Sequence, residues 1–503
     1  MKVCLANDSF PPQIDGVANA IKNYADIIHK HYGSAIVATP AFPKSEDYKY
    51  PYEVVRYPSL RLTENIGYRA GYPFWPKAIE KLAAFNPDII HSHCPYVSSY
   101  LCRELRAING APLVLTYHTK FDIDIKRCLR LKILQTSLIS LVVKNIEGSD
   151  EVWVVSKGAG ENLRDLGYRG SYRVMENGVD IPKLPPNEEI KASIVRKYGL
   201  KENETVFLSV GRMKWYKNHR LTINALRKLQ DAGYAFKMIF VGSGSDAEDI
   251  EKYTAEAGIR DNCIFTGAIH DREYLRNMYF CADVFVFPST YDTNGIVVRE
   301  AAACSLASIL IKDSCASEGI TDGVNGIILE ENADAMAAAL ADICRSRDTA
   351  RRLGENAANQ IYVSWEDSLA NAVARYRELI DAKARGLLPQ KPRPALDEQG
   401  IKLIAQSYRS YARFKNFEYT RFFRNKDLPA AKLDDSWEGL FEPYDEAIFD
   451  TETDRDFDDR DFDDREFDDK NFEAEAGTDA EDGERNFGGS GSEGAGRFGS
   501  SDL

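Results

Sequence analysis

The sequence predicts an α/β protein built from two parallel sheets in tandem, each covered by helices, with an acidic tail behind them. Three observations predict it. Short β-rich runs alternate with helical stretches through the first part of the chain, a second such series follows a Gly/Pro-rich break, and apolar content then collapses over about the last 70 residues.

The first series is KVCLAN (2–7), AIVATP (35–40), DIIHSH (88–93), LVLTYH (113–118) and EVWVVS (151–156). The second is TVFLSVG (205–211), KMIFVGSG (237–244), CIFTG (263–267), DVFVFPS (283–289) and SILIK (308–312). Runs this short, separated by helical periodicity, suit strands of a sheet buried on both faces. NGVDIPKLPPN (177–187) interrupts regular structure and marks the linker. The expected organisation is a first Rossmann-like domain over 1–180 and a second over 181–385, whose last helix is free to cross back to the first. A chain of 503 residues, 44% hydrophobic, is long enough for both cores.

After KARGLLPQKPRP the pattern predicts a helical extension over 386–433 carrying YRSYARFKNFEYTRFFRN, then a disordered tail over 434–503. There DRDFDDRDFDDREFDDKNF repeats every five residues with one Phe per repeat, too little apolar surface to offset ordering entropy. Residues 431–485 hold 24 acidic against 6 basic side chains, so the net charge of -14 belongs to the tail and the body is mildly basic. The tail is expected to contact basic partners or aid solubility, and it argues against nucleic-acid binding. Nine cysteines without a CxxC pair predict buried thiols in a reducing cytoplasm. MKVCLANDSFPP is too short in apolar residues for a signal-peptide core, and no run reaches bilayer-spanning length.

Three strand-to-helix loops carry candidate chemistry. In SFPPQIDGVANAI, Gly16 lets the backbone approach a ligand at a helix start, where N–H groups attract anions; an ordinary glycine turn explains the loop equally well. In VGRMKWYKN a strand ends at Gly211, and Arg212 and Lys217 follow; a guanidinium fork and an ammonium suit a diphosphate whose leaving-group charge grows. Two ordinary surface cations are the alternative. In PSTYDTNGIVVREAAAC the amides of Asn294, Gly295, Ile296 and Val297 are placed to cradle a phosphate, with Glu300 in the helix that follows. His91 and His93 share a strand face but have no zinc-spaced partners, so no metal site is expected. Ser156, Lys157 and Asn177 are weaker candidates for lining a cleft, since loop Ser and Asn often only cap helices.

With SFPPQIDGVA, LTYHT (115–119), VVSKG (154–158), ENGVD (176–180), GRMKWYK (211–217), VGSG (241–244) and FTG (265–267) in this order, the chain resembles the retaining glycosyltransferases of family 4, over about residues 1–385. That family carries Glu, seven residues, then Glu; here Asp292 and Glu300 stand at those positions, and the aspartate is a departure. The shorter side chain withdraws the first carboxylate by roughly 1.5 Å, one C–C bond.

The resemblance implies GT-B architecture, with two Rossmann-like domains facing across a cleft. It implies Glu300 on the donor ribose, Asp292 on the transferred sugar, and His118 beside that sugar. A nucleotide-diphosphate sugar, a UDP-sugar first, would lose its nucleotide with help from Arg212, Lys217 and amides, without metal or other cofactor and with retention at the anomeric carbon. Closure of the cleft would exclude water. The cationic and apolar stretch 120–146 suggests docking on an anionic membrane, hence a lipid acceptor such as diacylglycerol or a polyprenyl-linked glycan and a place at the inner face of the cell membrane. A helix packed into the first domain, a soluble sugar or metabolite acceptor, and a catalytically inactive sugar-nucleotide-binding scaffold are the alternatives.

Overall fold

The computed structural model describes residues 1–388 apart from 14, 44, 64–65 and 129–131. The predicted helical extension beyond 388, the acidic tail and the middle of the 120–146 segment lie outside the described residues.

The first sheet contains β1 (Lys2–Ala6), β2 (Ser34–Pro40) and β3 (Glu53–Tyr57). A separate antiparallel hairpin, β4 (Ser59–Thr63) and β5 (Ile66–Gly71), follows. The sheet resumes with β6 (Ile89–Ser92), β7 (Leu113–Tyr117), β8 (Glu151–Val154) and β9 (Arg173–Val174). Its order is β3-β2-β1-β6-β7-β8-β9, every pair parallel. The second sheet takes β10 (Thr205–Val210), β11 (Phe236–Val241), β12 (Cys263–Phe265), β13 (Val284–Phe287), β14 (Ser308–Ile311) and β15 (Ile327–Leu329). Its order β12-β11-β10-β13-β14-β15 is again parallel and reverses beside β10, the switch point where open α/β sheets open a crevice.

Side-chain alternation explains the layering. Phe207, Met238, Phe240, Val284 and Val286 face one helix layer, while Leu208, Ile239, Val241, Phe285 and Phe287 face the other. Both faces of the central strands are covered, so β10, β11, β13 and β14 read as mostly apolar runs.

The helix Trp365–Ala384, N-capped by Ser364, does not stay with the second sheet. Its Trp365, Leu369, Val373 and Tyr376 pack with Val3, Leu5, Val114 and Trp153 of the first. The chain therefore passes between the two halves twice, and the passages touch: Val179 donates its amide to the Val363 carbonyl at 3.1 Å and pairs with Ser364. A β-carbon on Gly178 would stand 2.4 Å from the Trp365 Cα, so only glycine lets these passages lie this close.

The cationic and apolar stretch 120–146 contributes two helices, Phe121–Cys128 and Lys132–Glu147. The second buries Val142, Val143 and Ile146 against the first half but leaves Ile133 and Leu134 76% and 49% exposed. Among the described residues no helix is long and apolar enough to cross a membrane. Of the cysteines described, Cys4, Cys94, Cys102, Cys263, Cys304 and Cys315 are buried, Cys281 and Cys344 are half-buried, and all are free thiols.

Candidate active site

The cleft-facing chemistry gathers at the carboxyl ends of β10 and β13. Gly211 ends β10, and its carbonyl lies so close to Gly242 that a β-carbon there would be 1.8 Å away. Met213, 2% exposed, pins the following loop by donating its amide to Ser243. Arg212 stands exposed at the strand mouth. Lys217 ends a short 3-10 turn, Trp215–Lys217, and its Nζ lies 2.5 Å from Asp292 Oδ1. Both partners are largely withdrawn from water, at 14% and 25% side-chain exposure. Asp292 Oδ2 is buried with no partner among the described residues.

The second loop follows β13 and feeds the helix Ile296–Ala303. Gly295 caps that helix at φ +56°, and a β-carbon would meet Ala316 Cα at 2.8 Å, so the sharp entry depends on glycine. Among the described residues no side chain caps the helix, and its first amides, with Ile296 and Val297 among them, have no intrahelical acceptors. The Gly16 loop differs. Asp15 Oδ1 already accepts from the Val17 and Ala18 amides at 2.9 and 2.7 Å, so that helix start carries its own anion, while Gly16 itself has open space around it.

Behind the Gly295 loop lies a buried guanidinium that sequence reasoning missed. Arg299 donates to the Asn294 carbonyl and Oδ1 at 3.1 and 2.8 Å and to Glu176 Oε1 at 2.7 Å. Glu300, 5% exposed, accepts from Arg272 at 2.7 Å and from the Tyr279 hydroxyl at 3.0 Å. Arg272 also approaches Asp180 at 3.6 Å, and Asn23 of the first half donates to that same carboxylate at 3.0 Å.

The first half contributes His118 at the end of β7, 6% exposed. Burial holds its imidazolium pKa down to about 3, so the ring is neutral. Its Nε2 lies 3.0 Å from His93 Nδ1, and its carbonyl accepts from Thr293 Oγ1 at 2.8 Å. The Thr293 carbonyl in turn accepts from Ser156 Oγ at 2.5 Å. Thr293, adjacent to Asp292, thus ties the second-half loop to two sites on the first. Asn177 is buried nearby in the linker, whereas the Lys157 side chain is exposed. His91 points inward, bonded through Nε2 to Thr116 at 2.7 Å and through Nδ1 to Tyr376 at 2.5 Å.

A clasp completes the contact. Glu318 accepts from the Lys157 and Gly158 amides at 2.7 and 2.6 Å, placing a second-half carboxylate on a first-half helix start. Glu318→Ala is expected to cost about 1–2 kcal/mol through these two charge-assisted bonds, read as a lower urea midpoint. Glu330→Ala, which breaks a pair with Lys312 whose carboxylate is 72% exposed, should shift it by less than about 0.5 kcal/mol.

A two-sheet α/β protein with cations and free amides at the switch point fits a group-transfer enzyme handling a phosphorylated leaving group. The family pattern described as Glycosyl transferases group 1 matches residues 190–360, and the one described as Glycosyltransferase Family 4 matches residues 14–183, one on each half. The chain belongs to this group 1, family 4 class of glycosyltransferases and is a transferase enzyme of GT-B architecture. Alpha-monoglucosyldiacylglycerol synthase of Streptococcus pneumoniae is 25% identical over 312 residues, 60% of this chain and 69% of that protein. A GDP-mannose-dependent alpha-mannosyltransferase of Corynebacterium glutamicum is 23% identical over 76% of this chain and 91% of its own length. Sucrose-phosphate synthase from Thermosynechococcus elongatus superposes with a TM-score of 0.61 at 22% identity, over 76% of this chain and 99% of that one.

Proposed function

We propose that the enzyme transfers a sugar from a nucleoside-diphosphate sugar to a hydroxyl, with retention at the anomeric carbon. The observation that carries this reading is the Lys217–Asp292 pair set beside an uncapped helix start whose loop is bonded to His118.

In this reading Glu300 holds the ribose, and its bonds from Arg272 and Tyr279 fix the carboxylate before the donor arrives. Lys217, Arg212 and the amides of Gly295 to Val297 meet the diphosphate, and their hold strengthens as its charge grows on departure. Metal-independent catalysis follows from the same groups, because fixed cations and N–H donors supply the counter-charge. Asp292 and His118 orient the transferred sugar, and the acceptor hydroxyl attacks from the face the nucleotide leaves.

The acceptor we infer is a lipid hydroxyl. Its support is the exposed Ile133 and Leu134 on a helix that follows a cationic segment, together with the diacylglycerol named for the Streptococcus relative. A UDP-sugar is the donor tested first, with GDP-mannose, named for the Corynebacterium relative, beside it.

Thermal unfolding with UDP, GDP and ADP tests the donor reading. One nucleotide should raise Tm, by the equivalent of about 2.7 kcal/mol at a hundredfold excess over Kd, and Glu300→Ala should abolish the rise. No rise with any of the three would sink the proposal. Diacylglycerol vesicles with the matching nucleotide-sugar then read out lipid glycosylation directly.

A further inference from the structure

The contact between His93 and His118 leaves one question open in the donor-sugar reading: which nitrogen of His118 carries its proton. Hydrogen bonding at one imidazole nitrogen fixes what the other presents. The two ring planes are 21° apart and their centroids 5.2 Å apart, edge to edge, joined by the 3.0 Å approach of His93 Nδ1 to His118 Nε2. Burial lowers the pKa of both, so each ring is neutral and holds one N–H. A single proton sits in the bond between them.

The remaining nitrogen of His93 decides whose proton it is. His93 is 1% exposed, and its Nε2 has no partner among the described residues. Tyr24 stands edge-to-face against the ring at 4.9 Å, and the His91 ring lies 4.0 Å away. His91 offers nothing, since its own nitrogens are taken by Thr116 and Tyr376. A proton on His93 Nε2 would bury an orphan N–H, whereas a proton on Nδ1 leaves only a lone pair unsatisfied. Orphan donors are the rarer and costlier of the two.

We infer that His93 is a positioning residue: it donates Nδ1–H to His118 Nε2 and thereby locks His118 as the Nδ1–H tautomer, which presents a donor to the transferred sugar. This rests on the reading that His118 meets that sugar. Without the lock His118 would present a lone pair in part of the population, and a sugar oxygen accepting from that ring would lose its bond. His91, in the same motif and equally buried, makes no such contact with His118.

The test has a structural and a catalytic arm. With ¹⁵N-labelled histidine, two-bond ¹H–¹⁵N spectra resolve the seven histidines of the chain, and the signal lost in His118→Gln assigns His118. The expected wild-type result is a pyrrole-type Nδ1 and a pyridine-type Nε2 on His118. His93→Phe should move that pattern toward the Nε2–H form. His93→Asn, whose amide nitrogen takes the place of Nδ1, should retain it. In parallel, kcat should fall about tenfold in His93→Phe with donor KM nearly unchanged, and recover in His93→Asn. An Nε2–H pattern for His118 in the wild type overturns the inference without any variant, as does an unchanged pattern in a folded His93→Phe. The expected tautomer together with wild-type turnover in His118→Phe would place the failure in the donor-sugar reading, and would remove the lock's part in transfer with it.

Discussion

Lys217→Ala is expected to lower kcat by about 10² to 10³, the usual loss when one preorganised group facing a developing charge is removed. The pair it belongs to makes the effect larger than the loss of one cation. The ammonium lies 2.5 Å from Asp292, whose second oxygen is buried with no partner among the described residues. Removing Lys217 therefore leaves an unbalanced carboxylate beside the proposed diphosphate. Asp292→Asn in the Lys217→Ala background should restore donor affinity but not kcat, so the two substitutions should be strongly non-additive. Steady-state kinetics on the four proteins of that cycle provides the check. Equal losses of kcat in Lys217→Ala and in Lys312→Ala, a cation paired at the surface, would remove Lys217 from the mechanism.

Acid should unfold the enzyme from an unusually high pH. Four histidines are buried neutral: His91 and His93 are held well below the ordinary value, His118 at about 3 and His219 at about 4, each chiefly by burial. The folded chain therefore refuses protons that the unfolded chain accepts once pH drops below about 6.5. Their stabilising contribution is complete above that pH and is lost as pH falls toward the folded values. Each histidine adds up to about 1.4 kcal/mol per pH unit to the slope. Asp8 and Asp283 work in the opposite sense, because burial raises their pKa and the folded state takes up those protons first, but they are two groups against four. Urea midpoints should be flat from pH 8 to 7 and fall steeply between 6.5 and 4.5. A midpoint unchanged down to pH 4.5 would contradict the neutral burial of these rings.

The sheets were legible because both of their faces are buried, so ten strands announce themselves as apolar runs. Most of the strands that escaped notice lack such a run. β9 is two residues long, β3 reads EVVRY with a charge at its first and fourth positions, and the hairpin strands read SLRLT and IGYRAG; β15, IIL, is an apolar run as short as the CIF of β12 and was passed over. In the site, the Lys217 and Gly295 loops were visible because glycine and charge follow a strand directly. Thr293 and Glu318 were not, and His93 was visible without its partner His118, because what defines them is a contact elsewhere along the chain. Thr293 meets His118 across 175 positions, and Glu318 meets Lys157 across 161. No local pattern encodes such a pairing. Arg272 and Arg299 carry no signal in their own stretches for the same reason: their partners Glu300 and Glu176 lie 28 and 123 positions away. The Gly16 loop shows a feature the motif alone does not announce: Asp15 accepts from the Val17 and Ala18 amides, while Gly16 keeps open space around it.

The second half of the molecule hangs from the first by two chain segments lying against each other at Gly178 and Trp365. A single tether acts as a ball joint and allows one body to swivel freely about the other. Two adjacent tethers act as the pin of a door, permitting swing about one axis while resisting twist. Each return swing would bring Thr293 back to the same carbonyl of His118, so the alignment of sugar and leaving group would be set by the joint itself.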